Sequence, residues 1–258
     1  MSAPQFIDMH AHLDRLEHSA EEALVLAEKE NIHRVITIGT EPSDLQTVLT
    51  ISEKLYPKVF CTLGVHPHEG TLYTDEAEKF IRENAPRKEV VALGEMGLDY
   101  YYEHSPREPQ KEAFRRQLQL AHELNLPVEI HTRDAEEDTI EILNEFRGKV
   151  TGLIHCFTGT KWLAEKSLDL GFNISISGVV TFKNADDLRN TVGYVPLDRL
   201  HVETDAPFLS PVPLRGKKNT PAFMVHTAAT VAQLKGVNVE KLAEITSQNA
   251  FKLMPKLV

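Results

Sequence analysis

The chain has 258 residues, 28 Lys and Arg against 38 Asp and Glu (formal net charge −10), 41% hydrophobic and 26% charged residues. That apolar content excludes disorder as the dominant state. Two cysteines, Cys61 and Cys156, are too few for a disulfide scaffold, and no apolar stretch approaches the roughly 20 residues of a membrane span.

Met1-Ser2-Ala3-Pro4-Gln5 lacks the basic region and apolar core of a signal peptide, so a cytoplasmic protein with reduced thiols is expected. A protein that coats duplex DNA carries a basic stripe, and this chain has none. Any nucleic acid is therefore expected to be gripped locally, at an end or a short strand.

In chain order, the first strand-like run covers 6–9, and Ser19 then caps a helical stretch with Leu24 and Ala27. A second strand at 34–38 is followed by a helix opened by Pro42 or Ser43 and running through Leu45, Val48, Leu49 and Leu55. Strands follow at 59–65 and 90–94, and Pro106 opens a longer helix with Phe114, Leu118 and Ala121 at helical spacing. A strand at 128–130 leads past Asp134 into Ile140, Leu143 and Phe146, and strands at 152–157, 172–177 and 200–204 complete eight. Helices fit 221–234 and 239–253. Val, Ile and Phe dominate the strands, as a buried pleated surface favours. Alternating strands and helices make a parallel sheet. Eight units in one chain of this length predict an α/β fold, a (β/α)₈ TIM barrel, as a single domain over 1–258. An open doubly wound sheet is the alternative, but its G-x-G-x-x-G signature is absent.

In such a barrel the active site lies at the C-terminal ends of the strands. There the sequence places His10 and His12, His66, Glu95, His131, His155 and Asp205. Any one of them alone is more readily a hydrogen-bonded residue than a ligand; six strand ends delivering ligand types to one rim are not. Strand alternation puts Asp8, His10 and His12 on one side. Imidazoles with carboxylates suit a divalent metal. Four histidines with Glu95 and Asp205 exceed the needs of one tetrahedral ion, which suggests two ions sharing a bridging carboxylate. Asp8 and Glu203 share the inward parity and are expected to hold imidazole N–H groups. Glu129 shares the parity of His131 without an evident partner. His33 and His201 start strands, on the stability face; His18, His104, His122 and His226 fall on helices or loops; His68 stays open. Alternation points Cys156 away from the site.

These segments, with Gly64-Val65-His66-Pro67-His68, Gly94-Glu95-Met96-Gly97-Leu98-Asp99-Tyr100-Tyr101, His131-Thr132-Arg133, His155-Cys156-Phe157-Thr158-Gly159, Ser177-Gly178-Val179-Val180-Thr181-Phe182-Lys183-Asn184-Ala185 and Glu203-Thr204-Asp205-Ala206-Pro207, resemble the TatD family of metal-dependent hydrolases over nearly the whole chain. The resemblance implies a divalent-metal nuclease, a deoxyribonuclease or 3′-to-5′ exonuclease on single-stranded DNA or RNA. It implies His10, His12, Glu95, His131, His155 and Asp205 as ligands of two divalent ions (magnesium, manganese or zinc), with Glu95 bridging and His66 and Arg133 facing the substrate phosphate. Asp205 is also expected to accept the proton of the attacking water.

The family's basic loop reads here Arg215-Gly216-Lys217-Lys218-Asn219-Thr220-Pro221, with Lys218 in place of Arg and Thr220 in place of Glu. Arg215, Lys217 and Lys218 are expected either to clamp phosphate or to form a solvated loop. Tyr100, Tyr101, Tyr102 and Trp162 are expected either to stack on a base or to pack. The alternative functions are a hydrolase of D-aminoacyl-tRNA esters or small amides and, further off, a metal-dependent interaction subunit. No membrane and no obligate protein partner is expected.

Overall fold

The computed structural model describes residues 4–258; Met1, Ser2 and Ala3, part of the stretch read above for a leader, lie outside the described residues. Eight parallel strands, β1 (Phe6–Ala11), β2 (Ile32–Ile38), β3 (Val59–Leu63), β4 (Val90–Asp99), β5 (Val128–Arg133), β6 (Gly152–Ile154), β7 (Asn173–Ile176) and β8 (Leu200–Val202), pair in sequence order. Between and after them run α1 (Ala20–Lys29), α2 (Leu45–Leu55), α3 (Asp75–Asn84), α4 (Arg107–Leu124), α5 (Glu136–Glu145), α6 (Lys161–Asp169), α7 (Asp186–Tyr194), α8 (Met224–Lys235) and α9 (Val239–Leu253). This is the (β/α)₈ barrel. Among the described residues no helix is long and apolar enough to cross a membrane.

Closure rests on few bonds. Beyond β8, Ala206 bridges Ala11, Asp205 N donates to the His10 carbonyl at 2.9 Å and His12 N to the Ala206 carbonyl at 2.7 Å. The buried Asp8 carboxylate adds two bonds, accepting from Thr204 N at 2.9 Å and Thr204 Oγ1 at 2.6 Å. Asp8 is thus a seam residue, and among the described residues no imidazole ring is bonded to its carboxylate, contrary to the expectation from parity. Burial pushes its pKa up to about 8, against the two Thr204 bonds.

Helix starts follow their capping chemistry. Ser19 accepts from Glu22 N while Glu22 reaches back to Ser19 N, a reciprocal capping box. The second helix starts at Leu45, later than Pro42 or Ser43, because 42–44 form turns before it. Three helices escaped the apolar spacing. Their buried faces are short and partly small or polar: Ala77 and Ile81 on α3, Leu163, Ala164 and Ser167 on α6, Leu188, Thr191 and Val192 on α7. Thr74 and Thr160, which cap α3 and α6, were the available signals.

The fourth strand is longer than 90–94. Gly94 and Gly97 look like breakers, yet β4 continues beside β5 through Met96↔Ile130, Gly97↔His131 and Asp99↔Arg133. Gly94 has φ +145°, and a Cβ there would come within 2.6 Å of the Glu129 carbonyl oxygen. Glycine therefore lets β4 approach β5 and carry Glu95 inward.

His201, at the strand starts, is fully buried and its Nε2 accepts from Asn173 Nδ2 at 2.9 Å. Burial lowers its pKa to about 3. Between that value and the ordinary His range the unfolded chain binds a proton that the folded chain refuses. Stability from this group is therefore complete above about pH 6.5 and is lost as pH falls, by at most about 1.4 kcal/mol per pH unit. His201→Gln keeps an acceptor for Asn173. Its urea midpoint is expected to fall less between pH 8 and pH 5 than that of the parent; an equal fall excludes this origin of acid sensitivity.

Candidate metal centre

The C-terminal ends of the strands surround a cavity of about 830 Å³ whose walls include His12, His66, Glu95, His131, His155 and Asp205. His10, fully buried, lies behind its wall. His10 ends the inward row of β1, and His12 follows one alternation later, just past the strand. Asp205 sits in the left-handed region at φ +56°, a conformation Asp tolerates. Its Oδ1 lies 3.6 Å from His10 Nε2 and 3.4 Å from His12 Nε2, and the two nitrogens are 3.3 Å apart.

Glu95 is the centre of the cluster. Its Oε1 lies 2.9 Å from His155 Nε2, 3.0 Å from His131 Nδ1 and 3.5 Å from His66 Nε2. Its Oε2 lies 3.7 Å from His10 Nε2. Burial alone would raise the Glu95 pKa, but His155 and His66 and the bonds from His131 and His155 hold it well below the carboxylate range. Burial likewise opposes charge on His155, yet Glu95 and Glu203 raise its pKa well above the ordinary range.

Carboxylates behind the rings fix their orientation. Glu203 Oε1 lies 3.0 Å from His155 Nδ1. Glu129, left without a partner in the sequence reading, meets His10 Nδ1 at 2.5 Å across 119 residues of chain. Burial pushes Glu129 up and His10 down, in each case against the charged form. Asp99 Oδ2 lies 3.0 Å from His131 Nε2 and 3.1 Å from His68 Nε2. Asp99 lies beyond the strand expected at 90–94; along the full β4 the alternation runs Glu95, Gly97, Asp99. His68 also lines the cavity.

One other placement differs from expectation. Cys156 does not point away from the site: the β6 ladder ends at Ile154, Cys156 turns to φ +42°, and the residue forms part of the cavity wall. Arg215, Lys217 and Lys218 are exposed and do not line the cavity; the Arg215 guanidinium lies 3.8 Å from the Phe182 ring centre and donates to the Ser210 carbonyl. Arg133 does line it, 3.9 Å from the Tyr101 ring centre and 4.9 Å from that of Tyr102. Trp162 is absent from the cavity wall, while Tyr102 is part of it.

The donor set fits divalent cations. Among the described residues, the ion-pair partners of Glu95, Glu129, Glu203 and Asp205 are all imidazoles. Buried carboxylates need compensation, and a proton on one imidazole nitrogen serves one contact only. The other approaches among His10 Nε2, His12 Nε2 and Asp205 Oδ1 bring lone pair to lone pair, which a cation between them offsets. His10, His12 and Asp205 form one candidate group, His66, Glu95 and His131 a second, and His10, Glu129, His155 and Glu203 a third.

A family model described as TatD related DNase matches residues 7–255. A relative from Escherichia coli (strain K12), the metal-dependent hydrolase YcfH, is 44% identical over 257 residues, covering 96% of this chain and 94% of its own. The 3′-5′ ssDNA/RNA exonuclease TatD of Rahnella sp. (strain Y9602) is 43% identical over 202 residues, covering 75% and 77%. The crystal structure of YjjV, a TatD homologue from Escherichia coli K12, superposes with a TM-score of 0.90 at 28% identity, covering 98% of each chain.

Proposed function

Because the chain belongs to the family of TatD-related DNases, which are metal-dependent hydrolases, we propose that it hydrolyses phosphodiester bonds at the ends of single-stranded DNA or RNA. The observation that carries this reading is Glu95. One buried carboxylate turns Oε1 to three imidazoles and Oε2 to a fourth, an arrangement that supports a bridge between two divalent cations, magnesium, manganese or zinc. In this reading His10, His12, Glu95 and Asp205 would hold one cation, and Glu95, His131 and His155 would hold the other. When bound, such a pair supplies Lewis-acid chemistry, acidifying water and offsetting charge on phosphoryl oxygens.

The side chains do the rest. Asp205 accepts the proton of the attacking water at its carboxylate. Arg133 and His66, both on the cavity wall, donate toward the phosphate oxygens. Glu129, Glu203 and Asp99 hold the rings of His10, His155 and His131. An acidic chain lacks a field that attracts a polyanion, so grip falls to groups at the cavity, Arg133 first among them.

The test is a side-by-side assay on single-stranded DNA, RNA and D-aminoacyl-tRNA, with and without EDTA. Oligonucleotide cleavage is expected to vanish in EDTA and return with magnesium or manganese. Undiminished cleavage in excess EDTA, with metal absent by elemental analysis, excludes the metal-dependent reading; turnover of the tRNA ester alone excludes the nuclease.

Glu129→Gln tests the ring-holding role. It is expected to weaken metal binding about 10–100-fold in a competitive chelator titration. Unchanged affinity means that Glu129 only fills space.

A further inference from the structure

One wall of the cavity is apolar, and its main element has no role in the chemistry above. Phe208 is 48% exposed, although it follows closely on Asp205 in the chain. Its ring centre lies 5.8 Å from that of His12, edge to face. With Val179 and Leu209 it makes the apolar side of a cavity that is otherwise mainly polar.

The loop that carries Phe208 is fastened from beneath. Phe208 N donates to the Asp205 carbonyl at 2.8 Å. The side chain of Asn219, 2% exposed, donates to the Phe208 carbonyl at 2.6 Å and to the Thr204 carbonyl at 2.9 Å, while its backbone N donates to the Pro207 carbonyl at 3.0 Å. Leu209 takes the left-handed conformation at φ +53°. Asn219 belongs to the basic segment 215–221, so the part of that segment that reaches the site's surroundings is a strut under Phe208, while its lysines stay outside the cavity.

An exposed aromatic ring held beside a cluster of metal-type donors invites a flat apolar partner. In a nucleotide, base and phosphate are separated by one sugar. With the phosphate at the donor cluster and its oxygens toward Arg133 and His66, the base falls where a neighbouring wall offers a π face. We infer that Phe208 is the stacking platform for the nucleobase adjoining the cleaved phosphodiester. This deepens the nuclease reading and rests on it. Stacking accepts every base, since each has a π face, so the platform supplies grip without sequence preference.

The experiment uses the full-length protein and two single-stranded DNA oligonucleotides, one with a 2-aminopurine at the 3′ end and one abasic there, each prepared with a normal and with a phosphorothioate linkage at the terminal bond. On the normal 2-aminopurine strand, Phe208→Ala is expected to raise KM about tenfold or more with a smaller change in kcat, and Phe208→Trp to restore it. On the abasic strand, Phe208→Ala and the parent are expected to agree. On the phosphorothioate strand, 2-aminopurine emission is expected to be quenched on binding to the parent and to Phe208→Trp, and not to Phe208→Ala. Equal losses on both strands, or quenching that survives Phe208→Ala, overturn the platform and leave the nuclease reading standing. Phe208-dependent quenching without cleavage of any normal strand upholds the platform and overturns the nuclease reading.

Discussion

Replacement of Glu95 by Gln is expected to lower turnover by roughly 10²–10³-fold or more, on the scale of removing a centrally placed electrostatic group, and to lower the metal content of the purified protein at the same time. The substitution is nearly isosteric, so the barrel is expected to keep its circular dichroism spectrum. What it removes is the negative charge that four imidazoles share: His155 at 2.9 Å, His131 at 3.0 Å, His66 at 3.5 Å and His10 at 3.7 Å. An amide offers one acceptor oxygen in place of two and presents an NH₂ to the other side. On the proposed reading, a group that two cations would share is thereby reduced to a ligand for one. Elemental analysis alongside kcat checks this. Two bound ions per chain and normal turnover in Glu95→Gln exclude the bridge.

Asp205→Asn is expected to separate binding from proton transfer. Its Oδ1 faces His10 and His12 at 3.6 and 3.4 Å, and an Asn oxygen still occupies that place. The backbone bonds that seat residue 205, from its N to the His10 carbonyl and from Phe208 N to its own carbonyl, do not involve the side chain. The fold and the metal content measured for the parent are therefore expected to persist, while turnover falls about 10²–10⁴-fold, the range of a lost general base. KM should change far less than kcat, because the interaction is made as the water loses its proton. Near-normal kcat in Asp205→Asn assigns the proton to another acceptor.

These two residues were legible in the sequence, as were His10, His12, His131 and His155 as candidates. Strand ends and inward parity are local properties: a run of Val and Ile, its alternation and the residue that follows can be read without knowing the neighbour. The same local reading supported the eight-unit barrel. It failed where local signals are weak or ambiguous. The strand expected at 90–94 stops at Gly94, whereas Gly94 and Gly97 are points of close approach between strands along which β4 continues. Small buried faces concealed α3, α6 and α7.

The pairings across strands were decided by the tertiary structure alone. Glu129 meets His10 and Glu203 meets His155, whereas Asp8, which shares their parity, meets Thr204. Parity tells on which side of a strand a carboxylate lies. Which imidazole it reaches depends on the stagger between strands, and closure of the barrel sets that stagger. Phe208 illustrates the same division. Its place in the chain after Asp205 was plain, but its role as an exposed wall depends on Asn219 returning from the far end of the loop to hold it. The sequence by itself thus determined the barrel and the rim residues with candidate chemistry, because both follow from local periodicity. Ring orientation, the seam between β1 and β8, and the apolar wall of the cavity were decided by the fold, because each depends on contacts between residues that only barrel closure and loop packing bring together.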